Sequence, residues 1–247
     1  MVMMLAGCSI KEDRTQCPCT VIVDFSGIDS TLHVNSGILA LTDGTLVLDD
    51  EIPSARYGEP YTFRVRRVST VIDIFSGWPD SVHDGTGFTV GRGEQFPELY
   101  LQTEVLDTDA EAVYLTAGLH KSYCKVTIDL KSGGDYPYSL TVMGNACGYY
   151  GTGEIVRGGF EYSPVPDRDG MCSVNIPRQY DSSLILRIAE ANDILREFAL
   201  GEYIIQSGYD WSAEDLEDIE VEIDYAKADI VFRVNDWETT ISFDVII

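Results

Sequence analysis

Cys124-Lys125-Val126-Thr127-Ile128-Asp129-Leu130 alternates without a break. Cys124, Val126, Ile128 and Leu130 fall on one face, and Lys125, Thr127 and Asp129 on the other. A period of two marks a half-buried strand, because successive side chains leave a pleated backbone on opposite sides. The pattern recurs upstream. Val21, Val23 and Phe25 share a face, and Tyr61, Phe63 and Val65 alternate with Thr62, Arg64 and Arg66. Ile38 to Thr42 and Thr45 to Leu48 flank Asp43-Gly44, a dipeptide suited to a two-residue hairpin turn. Val71 to Phe75 runs into a turn at Ser76-Gly77-Trp78-Pro79, and Leu99 to Leu106 and Ala112 to Ala117 read as further strands.

Downstream of Leu130 come Leu140 and Val142, then a Gly-rich stretch from Gly144 to Gly153 that reads as a loop. Strands follow at Met171 to Ile176, Leu184 to Ala189, Ile219 to Ile223, Ile230 to Val234 and Thr240 to Ile247. The best helix signal is Ser212-Ala213-Glu214-Asp215, a capping-box pattern. Many short strands between Gly, Pro, Asn and Asp turns predict an all-β protein of sandwich type. The strand set restarting near Cys124 predicts two domains, residues 20–117 and 118–247, after a leader and tether over residues 1–19.

The 247 residues are 45% apolar and 11% aromatic, enough to fill real cores and to argue against disorder. With 41 Asp and Glu against 17 Lys and Arg, the net charge of −24 repels phosphates. It therefore argues against nucleic acid or anionic headgroups as partners. No run of apolar residues is long enough for a membrane-spanning helix. Met1-Val2-Met3-Met4-Leu5-Ala6-Gly7-Cys8 nevertheless resembles the end of a secretory signal closing on a bacterial lipobox, with Cys8 as the acylated residue. The segment is short for a complete signal, so upstream residues are expected. Ser9 to Cys19 is polar and reads as a tether, and Lys11-Glu12-Asp13 resembles the acidic export signal of surface lipoproteins in the Bacteroides group. With Cys8 lipidated, Cys17, Cys19, Cys124, Cys147 and Cys172 remain, an odd number that leaves at least one thiol unpaired. Cys17 and Cys19 would lie about 7 Å apart on one face of a strand, too far for an easy mutual bridge.

Catalytic constellations are sparse. His33, His83 and His120 have no metal-ligand spacing among them, and no nucleophile elbow or phosphate loop occurs. Gly151-Thr152-Gly153 lacks the third glycine of a dinucleotide fingerprint, and Asp167-Arg168-Asp169-Gly170 lacks the downstream glutamate of a calcium loop and reads as a turn. The eight acids from Asp210 to Asp224 alternate with Ile219, Val221 and Ile223 and mark a solvent-facing strand side. No enzyme activity, metal, cofactor or small-molecule substrate is expected. Two features invite binding. Ile241, Phe243, Val245 and Ile247 form an apolar row, either a last strand docked in its own sheet or one donated to a neighbour. Trp78, Tyr149 and Tyr150 are aromatics available to a glycan platform, or equally to core packing.

The run from Cys8 to Pro18 followed by Val21 to Phe25, together with Tyr61 to Trp78, Ala112 to Leu130 and Val234-Asn235-Asp236-Trp237, resembles the FimB-type fimbrial anchor lipoproteins. These belong to the type V pili of Bacteroides-group bacteria. The resemblance implies two tandem transthyretin-like β-sandwiches and lipid attachment at Cys8 in the outer membrane, exposed at the cell surface. It also implies a fimbrial stalk subunit as partner, joined by strand donation. Physical consistency adds a constraint: removing the strand at Val21 to Phe25 would cut a tether fixed at Cys8, so such an anchor donates a strand and does not accept one. The alternative is a surface adhesin or glycan-binding lipoprotein of the same fold.

Overall fold

The computed structural model describes residues 13–78, 87–131, 138–190, 193–224, 229–234 and 237–242. Among the described residues nine strands occupy the first half: β1 (Pro18–Asp24), β2 (Asn35–Thr42), β3 (Thr45–Pro53), β4 (Tyr61–Arg66), β5 (Thr70–Ser76), β6 (Gly87–Thr89), β7 (Tyr100–Leu106), β8 (Ala112–Thr116) and β9 (His120–Lys121). Nine more follow: β10 (Tyr123–Lys131), β11 (Tyr138–Tyr150), β12 (Ile155–Tyr162), β13 (Met171–Pro177), β14 (Ile185–Glu190), β15 (Asp193–Phe198), β16 (Ile219–Asp224), β17 (Asp229–Val234) and β18 (Trp237–Ser242). Helix among the described residues is limited to α1 (Leu200–Gln206) and a 3-10 turn at Ser54–Arg56. The protein is all-β, as the alternation predicts.

The first sandwich lays the sheet β4-β1-β8 on the sheet β3-β2-β5-β7-β9. Their inward residues, among them Val21, Val23, Phe25, Ile38, Ala40, Ile72 and Ile74, are wholly buried in one cluster. Each Val, Ile or Phe among them contributes about 1.5–3 kcal/mol. β1 is the central strand of its sheet, antiparallel to β4 and parallel to β8. The β2–β3 hairpin turns at Asp43 (φ 50°) and Gly44 (φ 70°), and both left-handed residues match the primed turn that a twisted hairpin requires.

The second sandwich pairs the sheet β13-β10-β16-β17-β18 with β12-β11-β14-β15. β10, whose sequence announces the fold, lies between β13 and β16 with Cys124, Val126, Ile128 and Leu130 inward. The two sandwiches share a seam. Leu39, Phe75, Trp78, Phe88, Phe96 and Leu101 join the core cluster of the second half. β6 also leaves the first half to extend the β11 sheet, Thr89, Phe88 and Gly87 opposing Gly148, Tyr149 and Tyr150.

Gly144 to Tyr150 is not a loop but the end of a thirteen-residue strand, and its glycines serve close approach rather than a turn. A Cβ on Gly148 (φ 153°) would stand 1.8 Å from the Phe88 carbonyl oxygen. Gly148→Ala should therefore force β6 away from β11 and cost about 3 kcal/mol. A lowered urea midpoint is the expected readout, and an unchanged midpoint would show that β6 contributes nothing to the seam. The capping box at Ser212 opens no helix either. Asp210 Oδ1 takes both the Ser212 N–H (2.8 Å) and hydroxyl (2.6 Å), which makes the segment a turn. The turn read at Asp167-Arg168-Asp169-Gly170 is present, with Asp167 Oδ1 accepting from the N–H groups of Asp169 and Met171 at 2.9 Å.

Candidate interaction site

The chain enters the fold at β1. Cys17 is exposed, whereas Cys19, Val21 and Val23 have no exposure. Arg67 clamps the entry: its N–H donates to the Cys17 carbonyl (3.1 Å) and its Nε to the Pro18 carbonyl (3.3 Å). Flanked on both sides, β1 cannot leave without opening the three-stranded sheet. Cys8, the expected lipid site, lies outside the described residues.

At the other terminus β18 forms an edge of its sheet, Ile230 opposing Ile241 and Phe232 opposing Thr239. Of the apolar row, Ile241 is thus on a strand paired within the chain's own sheet, while Phe243, Val245 and Ile247 lie outside the described residues. Among the described residues no strand covers the outer edge of β18.

The aromatic candidates separate. Tyr149 is 3% exposed, and its hydroxyl donates to the Ser122 carbonyl at 2.5 Å and accepts the Arg178 N–H at 3.0 Å. Burial pushes its phenol up to about 12. Tyr149 is a buried tie between Ser122 and Arg178 and leaves the candidate platform, because strand alternation sends it inward and Tyr150, 47% exposed, outward. Trp78 is also buried, packed edge-on against Phe88 and Phe96. It borders a cleft of about 520 Å³ shared with Asn35, Gly37, Asp50, Glu51 and Phe75.

The seam has further ties that the sequence did not announce. Gln102 bridges the connection, accepting from Gly118 N–H (2.7 Å) and donating to the Thr116 carbonyl (3.2 Å). Asp215 accepts the Lys121 N–H at 2.7 Å and faces His120 Nδ1 at 3.3 Å, and Asp218 accepts the Lys125 N–H at 2.9 Å. Two of the acids read as solvent-facing therefore fasten the start of the second sandwich. His33 is buried against Tyr100, and burial lowers its pKa. Burial pushes the Cys124 and Cys172 thiols up to about 12, so both are poor nucleophiles. Among the described residues all five cysteines are free, and no three His, Cys, Asp or Glu side chains gather to hold a metal.

Solved structures of the same architecture exist. A protein of Bacteroides thetaiotaomicron assigned to polysaccharide binding (DUF1812) superposes with a TM-score of 0.62 at 14% identity, over 94% of this chain and 100% of that one. The fimbrial anchor protein Mfa2 from Porphyromonas gingivalis gives 0.59 at 12% identity, over 90% and 99%. A structure from Bacteroides ovatus assigned as an adhesin gives 0.55 at 12% identity, over 94% and 98%. This chain shares their fold. No family model and no curated protein matches its sequence.

Proposed function

We propose that this chain is the lipid-anchored base of a type V fimbria, of the FimB-type group its sequence resembles, held in the outer membrane through Cys8 and joined to a stalk subunit. The observation that carries the reading is the place of β1, buried at the centre of its sheet and continuous with the tether. A pilus subunit that accepts a neighbour's strand must vacate a place for it. A chain that hangs from its own N-terminus must keep that place filled. The shared fold of Mfa2, itself a fimbrial anchor, supports the same reading. The domain boundary sits near Gly118. β18 stays docked, and the residues after it, with Phe243, Val245 and Ile247, supply the donated strand. Main-chain bonds give such a strand its affinity and alternate side chains its specificity.

Mass spectrometry of the mature protein from outer membranes tests this. An acylated Cys8 as first residue, with β1 retained, is the expected result. Cleavage after Arg14 or any later arginine would remove the anchor role. An adhesin of the same fold is the second reading, favoured by the polysaccharide-binding assignment of one neighbour. With Tyr149 inside the seam, it rests on Tyr150. Glycan-array binding that Tyr150→Ala abolishes would promote it.

A further inference from the structure

A second cleft, of about 280 Å³, opens where β7 and β9 of the first sandwich meet the β11–β12 turn, Arg178 and Glu214 of the second. Sites for small ligands favour such seams between domains. Most polar groups on its wall are already committed. Gln102 uses both ends of its amide, on the Gly118 N–H and the Thr116 carbonyl. The Thr103 hydroxyl donates to Asp73, and the Tyr149 hydroxyl lies between Ser122 and Arg178. Ser122 Oγ donates to the His120 carbonyl at 3.1 Å. The side chains of Arg178, His120, Glu104 and Glu214 line the same cleft with capacity to spare.

Arg178 runs along the wall. Its backbone N–H donates to the Tyr149 hydroxyl at 3.0 Å, and its guanidinium reaches the carbonyls of Trp211 and, at 3.4 Å, Glu214. Those bonds leave N–H donors of the guanidinium unused, and this half-buried cation makes no ion pair among the described residues. The residue after Glu214, Asp215, faces His120 Nδ1 at 3.3 Å. Consecutive residues thus bring the guanidinium and the imidazole to one side of the cleft. A carboxylate only accepts, so Nδ1 carries the proton of the neutral ring and Nε2 is left as an acceptor. Nε2 has no hydrogen bond among the described residues. Glu104 and Glu214 are exposed, and their carboxylates are likewise without a bond among the described residues.

One guanidinium among acceptors selects its ligand. A bare anion would satisfy Arg178 but set its charge against Glu104 and Glu214. A neutral sugar would satisfy the acceptors and leave Arg178 unpaired. A ring that carries both a carboxylate and hydroxyls serves all of them, because guanidinium takes a carboxylate in fork geometry and hydroxyls donate to carboxylates and to Nε2. We propose that this seam cleft binds an acidic sugar of the uronic acid class, its carboxylate on Arg178 and its hydroxyls on His120, Glu104 and Glu214. At about 280 Å³ the cleft lies below the range of drug-sized sites, which limits it to about one ring. A ligand of that size binds with a Kd on the order of 1 mM. The site needs neither a lipid on Cys8 nor a platform at Tyr150, so its failure would leave both readings above untouched.

Calorimetric titration of glucuronate into the full chain tests the proposal, in about 0.15 M salt, where repulsion by the remaining acids is screened beyond about 8 Å. One saturable site per chain is expected, with no saturation by glucose or acetate over the same millimolar range. Arg178→Gln should weaken binding at least tenfold. That change also alters the bonds to Trp211 and Glu214, so His120→Ala is the second variant. The His120 ring is partly exposed, and Asp215 keeps the Lys121 N–H without it. A weakening of about threefold or more is expected there, with an unchanged melting temperature. Tyr150→Ala should bind as the wild type does. Absence of saturable glucuronate binding, equal binding of acetate or glucose, unchanged affinity in His120→Ala, or loss of binding in Tyr150→Ala overturns the site.

Discussion

Val21→Asp is expected to unfold the N-terminal sandwich. Val21 has no exposure, opposes Phe63 on one side and Val113 on the other, and points into the core shared with Ile38 and Ile72. Removing the valine forfeits about 1.5–3 kcal/mol of burial. An aspartate in its place adds an unpaired buried charge worth several kcal/mol more. The sum rivals the whole stability of a typical domain, about 5–15 kcal/mol. Ile22→Asp is the control, because Ile22 lies one residue along, on the outer, half-buried face. It should change stability by about 1 kcal/mol. Thermal melts with limited proteolysis read both, and a Val21→Asp protein that melts like Ile22→Asp would show that β1 is dispensable.

Asp73→Asn is expected to stabilise the protein above neutrality. Asp73 is fully buried on β5, on the face turned toward the second sandwich, between Leu39 and Thr103. Oδ1 accepts the Thr103 hydroxyl at 2.6 Å, and Oδ2 is buried without a partner among the described residues. Burial pushes the carboxyl up to about 7, the Thr103 bond offsetting part of that rise. The folded carboxyl holds its proton to higher pH than the unfolded one. Its favourable contribution is therefore complete below about pH 4 and is lost as pH rises through about 7. Across that window the loss amounts to about 4 kcal/mol. Asparagine keeps the acceptor for Thr103 and carries no charge. The difference in unfolding free energy between Asp73→Asn and wild type should grow from pH 4 to pH 7 and level off above it. A difference independent of pH would mean that Asp73 titrates normally.

The strands of the two sandwiches were legible wherever one face is buried and the other wet, because burial imposes a period of two. β10, β1 and the β2–β3 hairpin are cases, the last helped by Asp43-Gly44, whose left-handed pair suits few other residues. β6 and β9 are three and two residues long and carry no periodicity. β12 was missed because Arg157-Gly158-Gly159 interrupts the alternation, Gly158 standing where a Cβ would meet Cys147 Sγ at 2.6 Å. The end of β11 was misread for a related reason. Glycine reports tight approach as well as turns, and only the β6 backbone lying over Gly148 tells which applies. Site residues were least legible where their partners lie far along the chain. Tyr149 reads equally as platform or core aromatic until Ser122 and Arg178 are seen to claim its hydroxyl. Asp215 and Asp218 are exposed, as their sequence suggests, and only the fold shows that they also take the Lys121 and Lys125 N–H groups.

A chain that holds a fimbria to the membrane should leave it with the stalk still attached. Native pull-down of the chain from detergent-solubilised outer membranes of piliated cells, with mass spectrometry of what remains bound, tests it most directly. Recovery of a fimbrial stalk subunit, lost on deletion of residues 243–247 while the chain still melts as the intact protein does, is the predicted result. Recovery of the chain alone would contradict it.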